Sequence, residues 1–161
     1  MENFSDIERL VAIAEIQRLK ARRDRALDMK DWETYKALHA PDHVSQHGEQ
    51  DGGKMGSAEN VVRQLSVQLD GVTTAHHSHS PDITFETPTK AHCIWGMEDN
   101  LYWKQGDEDH WLHGYGFYYE TCEKRNGEWL FTARSLKRTR VAMSPGAKMG
   151  AERAAARQKS A

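Results

Sequence analysis

Two hydrophobic rhythms divide the chain. In the first part, Ile7, Leu10, Val11, Ala14, Leu19 and Leu27 recur at helical spacing behind Ser5-Asp-Ile-Glu8, which has the form of a capping box. This predicts a helix from about residue 6 to 29. Asp31-Trp32-Glu33 restarts a shorter helix with Trp32, Tyr35 and Leu38 on one side, and Pro41-Asp42 stops it. Residues 43–48 form a candidate strand, followed by the turn-rich segment from Asp51 to Gly56. Ser57 caps a third helix with Val61, Val62, Leu65 and Leu69 turned inward. Beyond residue 71 the pattern alternates. Segments 73–86, 90–104, 111–124 and 128–140 hold most of the aromatic residues and read as strands. Asn126-Gly127 marks a two-residue hairpin, because both positions tolerate positive φ. Helices first and long strands afterwards predict an α+β fold with helices on one face of an antiparallel sheet. Residues 142–161 read as an appended basic tail with helical tendency.

The chain has 161 residues, the length of one ordinary domain, and its 38% apolar content suffices for one packed core. Its apolar runs are too short for a membrane span, and its first residues lack the basic-then-apolar form of a signal peptide. Cys93 and Cys122 are too few for a disulfide framework or a four-thiolate zinc site. A cytoplasmic protein is expected, with no membrane partner. The net charge of −2 is unevenly spread: from Lys137 onward seven basic residues face one acid, Glu152, leaving the preceding body at −8. An acidic body without an arginine–aromatic stripe offers phosphates no docking surface, so nucleic acid is not an expected partner.

Nine histidines (39, 43, 47, 76, 77, 79, 92, 110 and 113) raise the question of chemistry near neutral pH. No Walker loop, Rossmann glycine fingerprint, His-Glu-x-x-His or Gly-x-Ser-x-Gly occurs, so no cofactor is expected. In His76-His77-Ser78-His79, alternation places His77 and His79 on one strand face and His76 on the other. No nearby acid completes a ligand set for the 77/79 pair, so no metal is expected there. His76 remains as a candidate general base, or as a hydrogen-bonded core histidine. Trp95, Met97, Asp99, Leu101 and Trp103 share one strand face, and His113, Tyr115, Phe117 and Tyr119 share another. Such faces suit the lining of a small-molecule cavity, an aromatic core or a subunit interface, and alternation does not choose among them. Asp28 stands near the negative end of the first helix, against the dipole preference, which points either to a cationic partner or to solvation.

Leu27-Asp-Met-Lys-Asp-Trp-Glu33, His76-His-Ser-His-Ser-Pro-Asp-Ile83, Trp95-Gly-Met-Glu-Asp-Asn-Leu101, Gly116-Phe-Tyr-Tyr-Glu120 and Cys122-Glu-Lys-Arg-Asn-Gly-Glu-Trp129 occur in this order. Together, across residues 5–141, they resemble the SnoaL-like branch of the NTF2-like superfamily. Within it the chain resembles bile acid 7-alpha dehydratase, scytalone dehydratase and hexachlorocyclohexane dehydrochlorinase. The resemblance implies a cone in which a curved antiparallel sheet wraps a pocket closed by the N-terminal helices. It also implies a cofactor-independent lyase acting on a hydroxylated aromatic, polyketide or steroid-like small molecule, and assembly as a homotrimer or dimer.

Carried over by position, Asp28 and His76 match the family's catalytic carboxylate and base, and His113 a histidine assisting the leaving oxygen. His47 falls at a substrate-polarising position, Arg138 near the pocket mouth and Asp99 at an acid on the second long strand. Arg23 replaces a pocket tyrosine and Gly96 a bulky aromatic, which implies a more basic, differently shaped pocket suited to a phenolate or carboxylate. Trp95, Met97, Tyr115 and Phe117 complete the expected lining. An isomerase or cyclase using the same pair is the alternative reading, as is a non-catalytic binding or assembly module.

Overall fold

In the computed structural model, which describes residues 4–47 and 54–150 (for His47, Lys54 and Met55 the backbone only), helix α1 spans Asp6–Asp28. Its start is the predicted capping box: the Ser5 hydroxyl accepts from the Glu8 amide at 3.3 Å, and the Ser5 amide donates to Glu8 Oε2 at 2.9 Å. The end of α1 is a Schellman turn. The Lys30 amide donates to the Leu27 carbonyl and the Asp31 amide to the Ala26 carbonyl, with Lys30 at φ 58°. Helix α2 (Trp32–Ala37) follows, capped by Asp31, and α3 (Ala58–Gln68) is capped by Ser57.

The buried side of α1 differs from the expected apolar stripe. Ile7, Leu10 and Val11 are exposed, whereas Ala12, Ile16, Leu19, Lys20, Arg23, Asp24 and Leu27 are buried. A helix that packs charged residues inward defeats a reading based on apolar spacing alone. The reason such burial is tolerated lies in the ion pairs described below.

Six strands form one sheet in the order β2-β1-β6-β5-β4-β3. They are β1 (His39–His47), β2 (Lys54–Gly56), β3 (Thr73–Thr87), β4 (Lys90–Gln105), β5 (Glu108–Arg125) and β6 (Glu128–Met143). The last four make an antiparallel meander with short turns, including Asn126-Gly127 at φ 52° and 85°. The sheet is mixed rather than antiparallel throughout, because β1 pairs parallel with β6. Pro41, expected to stop α2, lies inside β1, where the pairing with β6 skips from His39 to Val44 and a missing amide is tolerated.

The curved sheet turns one face toward the helices. On β5 that face carries Gly114, Gly116, Tyr118, Glu120 and Cys122, all buried, while Tyr115, Phe117 and Tyr119 point outward. A core of Ala12, Ile16, Leu19, Leu38, Cys93, Trp95, Met97, Tyr118 and Phe131 fills one end of the space between α1 and the sheet. Helices α2 and α3 add a second cluster around Ala26, Leu27, Tyr35, Val61 and Leu69. A pocket remains between the two. Residues 145–150 are helical, and the Ser144 amide just before them donates to the Trp111 carbonyl of β5. Among the described residues no helix is long and apolar enough to cross a membrane.

Candidate active site

The pocket has a volume of about 200 Å³ and is lined on its apolar side by Leu27, Leu65, Leu69, Leu101 and Leu136. Its polar groups are His76, Asp99, Tyr118, Arg23, Arg134, Arg138, Gln64 and Gln68. Each comes from a short, well-defined stretch. Arg23 lies on α1, the glutamines on α3, His76 on β3, Asp99 on β4, Tyr118 on β5, and Arg134 and Arg138 on β6.

His76 joins the pocket to the end of α1. Its Nδ1 lies 2.7 Å from Asp28 Oδ1, and its own amide donates to Asp28 Oδ2 at 2.9 Å. The Thr74 hydroxyl donates to Asp28 Oδ1 at 2.8 Å. Burial alone would raise the Asp28 carboxyl, but the hydrogen bonds from His76 and Thr74 outweigh it and hold the group below its ordinary value. An ionised carboxylate accepting from Nδ1 fixes the proton on that nitrogen and leaves the lone pair on Nε2 of a ring that lines the pocket. The acid that stands against the dipole of α1 thus has a histidine partner, as its position suggests.

A second carboxylate stands beside His76, because Asp99 is its cross-strand partner on β4. Asp99 is 3% exposed and takes both arms of Arg138, with Nη1 donating to Oδ1 at 2.9 Å and Nη2 to Oδ2 at 2.5 Å. A bulge sets this up: Tyr115 pairs with Arg140 while Gly116 pairs with Arg138, so one extra residue on β6 re-aims its side chains. Gly114 supplies the space, since a Cβ there would run into both the Arg138 guanidinium and the Asp99 carboxylate.

Behind the pocket lies an ionic cluster. Lys20 Nζ is 2.7 Å from Glu120 Oε1 and 3.9 Å from Asp24, and it sits 4.1 Å from the centre of the Tyr118 ring. Arg23, fully buried, donates to Asp24 at 2.9 Å and to the Tyr35 hydroxyl at 2.9 Å. Arg134 approaches Glu120 at 3.4 Å and lies over the Tyr118 ring. Burial would raise the Asp24 carboxyl, yet Lys20 and Arg23 bring it down to about 2. Burial pushes the Tyr118 phenol up to about 12, against the pull of Arg134 and Arg23, so it is a donor at neutral pH. His39 and His43 meet edge to face at 4.6 Å beside this cluster; burial draws His43 down to about 4 and His39 well below its ordinary value.

Asp28, His76, Asp99, Arg23 and Arg138 are therefore brought together, and four expected lining residues are not. Trp95 and Met97 point inward but belong to the packed core beside the pocket. Tyr115 and Phe117, with exposures of 39% and 42%, stand on the outer face. His113 does too: it pairs with Asn100, stacks on Trp111 and hydrogen-bonds the Tyr102 hydroxyl at 3.1 Å. These three do share a face, but it is the one turned away from the helices. Gly96 is also outward-facing, with His79 packed where its side chain would be, so it does not reshape the pocket. His77 bonds Glu98 on that outer face. His47 ends β1 opposite Leu136, and its side chain lies outside the described residues.

Sequence reasoning missed Tyr118, Arg134 and Thr74, and turned Leu65 and Leu69 inward without placing them at the pocket. The signal for Tyr118 was present in Gly114 and Gly116, which alternate in phase with it and mark the face where space is needed.

The family model of the SnoaL-like domain matches residues 8–135. Among solved structures, a protein described as a "putative scytalone dehydratase" from Novosphingobium aromaticivorans superposes with a TM-score of 0.76 at 23% identity, covering 86% of this chain and 91% of its own. A type 2 hexachlorocyclohexane dehydrochlorinase (LinA) gives 0.77 at 18% identity, covering 88% and 95%. The LinA-type3 dehydrochlorinase of Novosphingobium barchaimii gives 0.74 at 17%, covering 88% and 96%. At these identities the structural likeness speaks for the fold, whose other members include lyase-type enzymes. With four-fifths of its length matched by the family model and the fold in agreement, this chain belongs to the SnoaL-like family of NTF2-like proteins.

Proposed function

We propose that the protein is a lyase that eliminates water from a hydroxylated small molecule, with His76 as general base and Asp28 as the group that orients it. The observation that carries this reading is the 2.7 Å contact between His76 Nδ1 and Asp28, which leaves Nε2 unclaimed by the carboxylate on a ring that lines the pocket. Nε2 takes a proton from carbon, the C–H electron pair forms the double bond, and the C–O bond breaks. The imidazolium, stabilised by Asp28, returns the proton to the departing oxygen, so water leaves and the ring is regenerated. This sequence balances without an oxidant, reductant or added group. Carbon–carbon cleavage with release of a small aldehyde is a variant in which the same base deprotonates a hydroxyl.

The Tyr118 phenol and the arginines that line the pocket supply donors for a substrate carbonyl or phenolate oxygen. The pocket volume, about 200 Å³, lies below the roughly 300–1,000 Å³ of sites for drug-sized ligands. That size supports an aromatic or polyketide substrate of one or two rings over a steroid. His113 has no part in this reading, because its ring faces outward. The test is product analysis by mass spectrometry on a panel of hydroxylated one- and two-ring compounds. Loss of one water supports elimination, release of an aldehyde supports the cleavage variant, and a product of unchanged mass makes the enzyme an isomerase or cyclase.

A further inference from the structure

We propose that Lys30 and Thr74 are positioning residues that hold the Asp28 carboxylate and moderate its pull on His76, an inference that rests on the base assignment above. Lys30 Nζ donates to the Thr74 hydroxyl at 2.8 Å, and that hydroxyl meets Asp28 Oδ1 at 2.8 Å. An ammonium can only donate, so the single hydroxyl proton of Thr74 must be directed at Asp28. The result is an ordered chain from Lys30 through Thr74 and Asp28 to His76, ending on the same Oδ1 that receives His76 Nδ1. Among the described residues, the hydrogen bonds onto Asp28 come from Thr74 and His76.

The backbone gives an independent reason to assign Lys30 a task. It occupies the left-handed position of the Schellman turn that ends α1, at φ 58°, where glycine fits without strain. Helix termination alone would favour glycine there. A long cationic side chain is instead present, one residue beyond the helix cap and two beyond Asp28, and folds back onto the carboxylate through Thr74. The same turn therefore places both Asp28 and the cation that tempers it.

Other charged and titratable groups share a hollow with His76. Arg23 from α1, Asp99 from β4, Tyr118 from β5, and Arg134 and Arg138 from β6 line the pocket with it, and Asp24, Arg25 and His77 line a second hollow with both His76 and Asp28. Of these, Asp99 is engaged by Arg138, Asp24 by Arg23, and His77 by Glu98. Lys30 differs in being linked to Asp28 by a continuous path of hydrogen bonds.

The experiment is a titration of histidine ring carbons by NMR in ring-labelled protein, with the His76 signal assigned through His76→Gln. It needs no substrate. Along the bonded path the ammonium lies at most about 8 Å from the ring, so at an effective dielectric of about 40–80 its removal raises the His76 midpoint by about 0.4–0.8 pH units. Lys30→Gly should show that rise, a two- to six-fold change in the acid constant, with thermal stability unchanged or higher. Adding Thr74→Val to Lys30→Gly removes the remaining hydroxyl donor and should raise the midpoint further. Asp28→Asn should lower it. An unmoved or lowered midpoint in Lys30→Gly, while Asp28→Asn lowers it, overturns the role of Lys30 and leaves the base assignment standing. An unmoved midpoint in Asp28→Asn overturns both. A drop in the melting temperature of Lys30→Gly with no change in midpoint would make the lysine a structural residue and also overturn the proposal.

Discussion

Replacing Lys20 by methionine tests whether the buried ionic cluster is part of the structural core. The side chain is 2% exposed, and its ammonium sits 2.7 Å from a Glu120 carboxylate that is itself buried. Methionine fills nearly the same space, so little cavity energy enters, and the change isolates the charge. Glu120 would keep Arg134 at 3.4 Å but lose its shortest partner. Removing one member of a buried pair costs about 3–5 kcal/mol, since the other charge stays desolvated. That is a large share of the roughly 5–15 kcal/mol that separates a folded domain from its unfolded chain. With a urea slope of about 2 kcal/mol per molar, the unfolding midpoint should fall by about 2 M. Glu120→Gln should destabilise as well, and the double variant should lose at least about 2 kcal/mol less than the two singles together, because neither charge is then stranded. The assay is equilibrium urea unfolding followed by tryptophan fluorescence and circular dichroism, which must coincide. A Lys20→Met midpoint within about 0.3 M of the parent, or strict additivity in the double variant, would refute the reasoning.

Stability should also respond to acid through His43. Its imidazole is drawn by burial to about 4, below the roughly 6.5 of the unfolded chain, so unfolding takes up a proton once pH drops below the unfolded value. The contribution is complete above about pH 6.5 and amounts to a loss of about 2 kcal/mol at pH 5. His43→Gln should flatten the stability profile between pH 7 and 5, and an unaltered slope would count against buried neutral histidine. Gly114→Ala should push the Arg138–Asp99 pair out of its seat and lower kcat/KM by about 10–100-fold on the eventual substrate; unchanged kinetics would mean the pair does not shape the pocket. We expect the outward aromatics Tyr102, Tyr115, Phe117 and Tyr119 to lie in a subunit interface of a homotrimer or dimer. Light scattering should then give a multiple of the 18.4 kDa chain mass, reduced by Phe117→Glu; a monomer mass for the parent would contradict this.

Local signals were legible wherever the physics is local. The Ser5 capping box, the Asn126-Gly127 hairpin and the Ser57 cap each depend on a few neighbouring residues, and each stands where its motif points. Strand alternation was also readable on β5, but alternation does not say which face turns inward. There the inward face carries glycines, a tyrosine and a glutamate, while the aromatic face is outside. Apolar content is a poor guide when the inner surface must leave room for a pocket and host ion pairs. The same limit hid Lys20, Arg23 and Asp24: they are buried as one ionic cluster on α1, and its anchor across the fold, Glu120, lies 100 residues from Lys20. Arg138 depended on a bulge, which no periodic pattern announces. Asp28 and His76 were found because a carboxylate at a helix C-terminus and a histidine at the start of a strand matched a family motif, not because spacing alone joined them.

The central claim is that His76, oriented by Asp28, is the base of an elimination. The most direct measurement compares single-turnover rates of the parent, His76→Ala and Asp28→Asn on a compound the parent dehydrates. The account predicts a fall of at least about 10²–10⁴-fold for His76→Ala, and for Asp28→Asn a loss in kcat that exceeds any change in binding. A His76→Ala variant that dehydrates the compound at a rate near the parent's would contradict it.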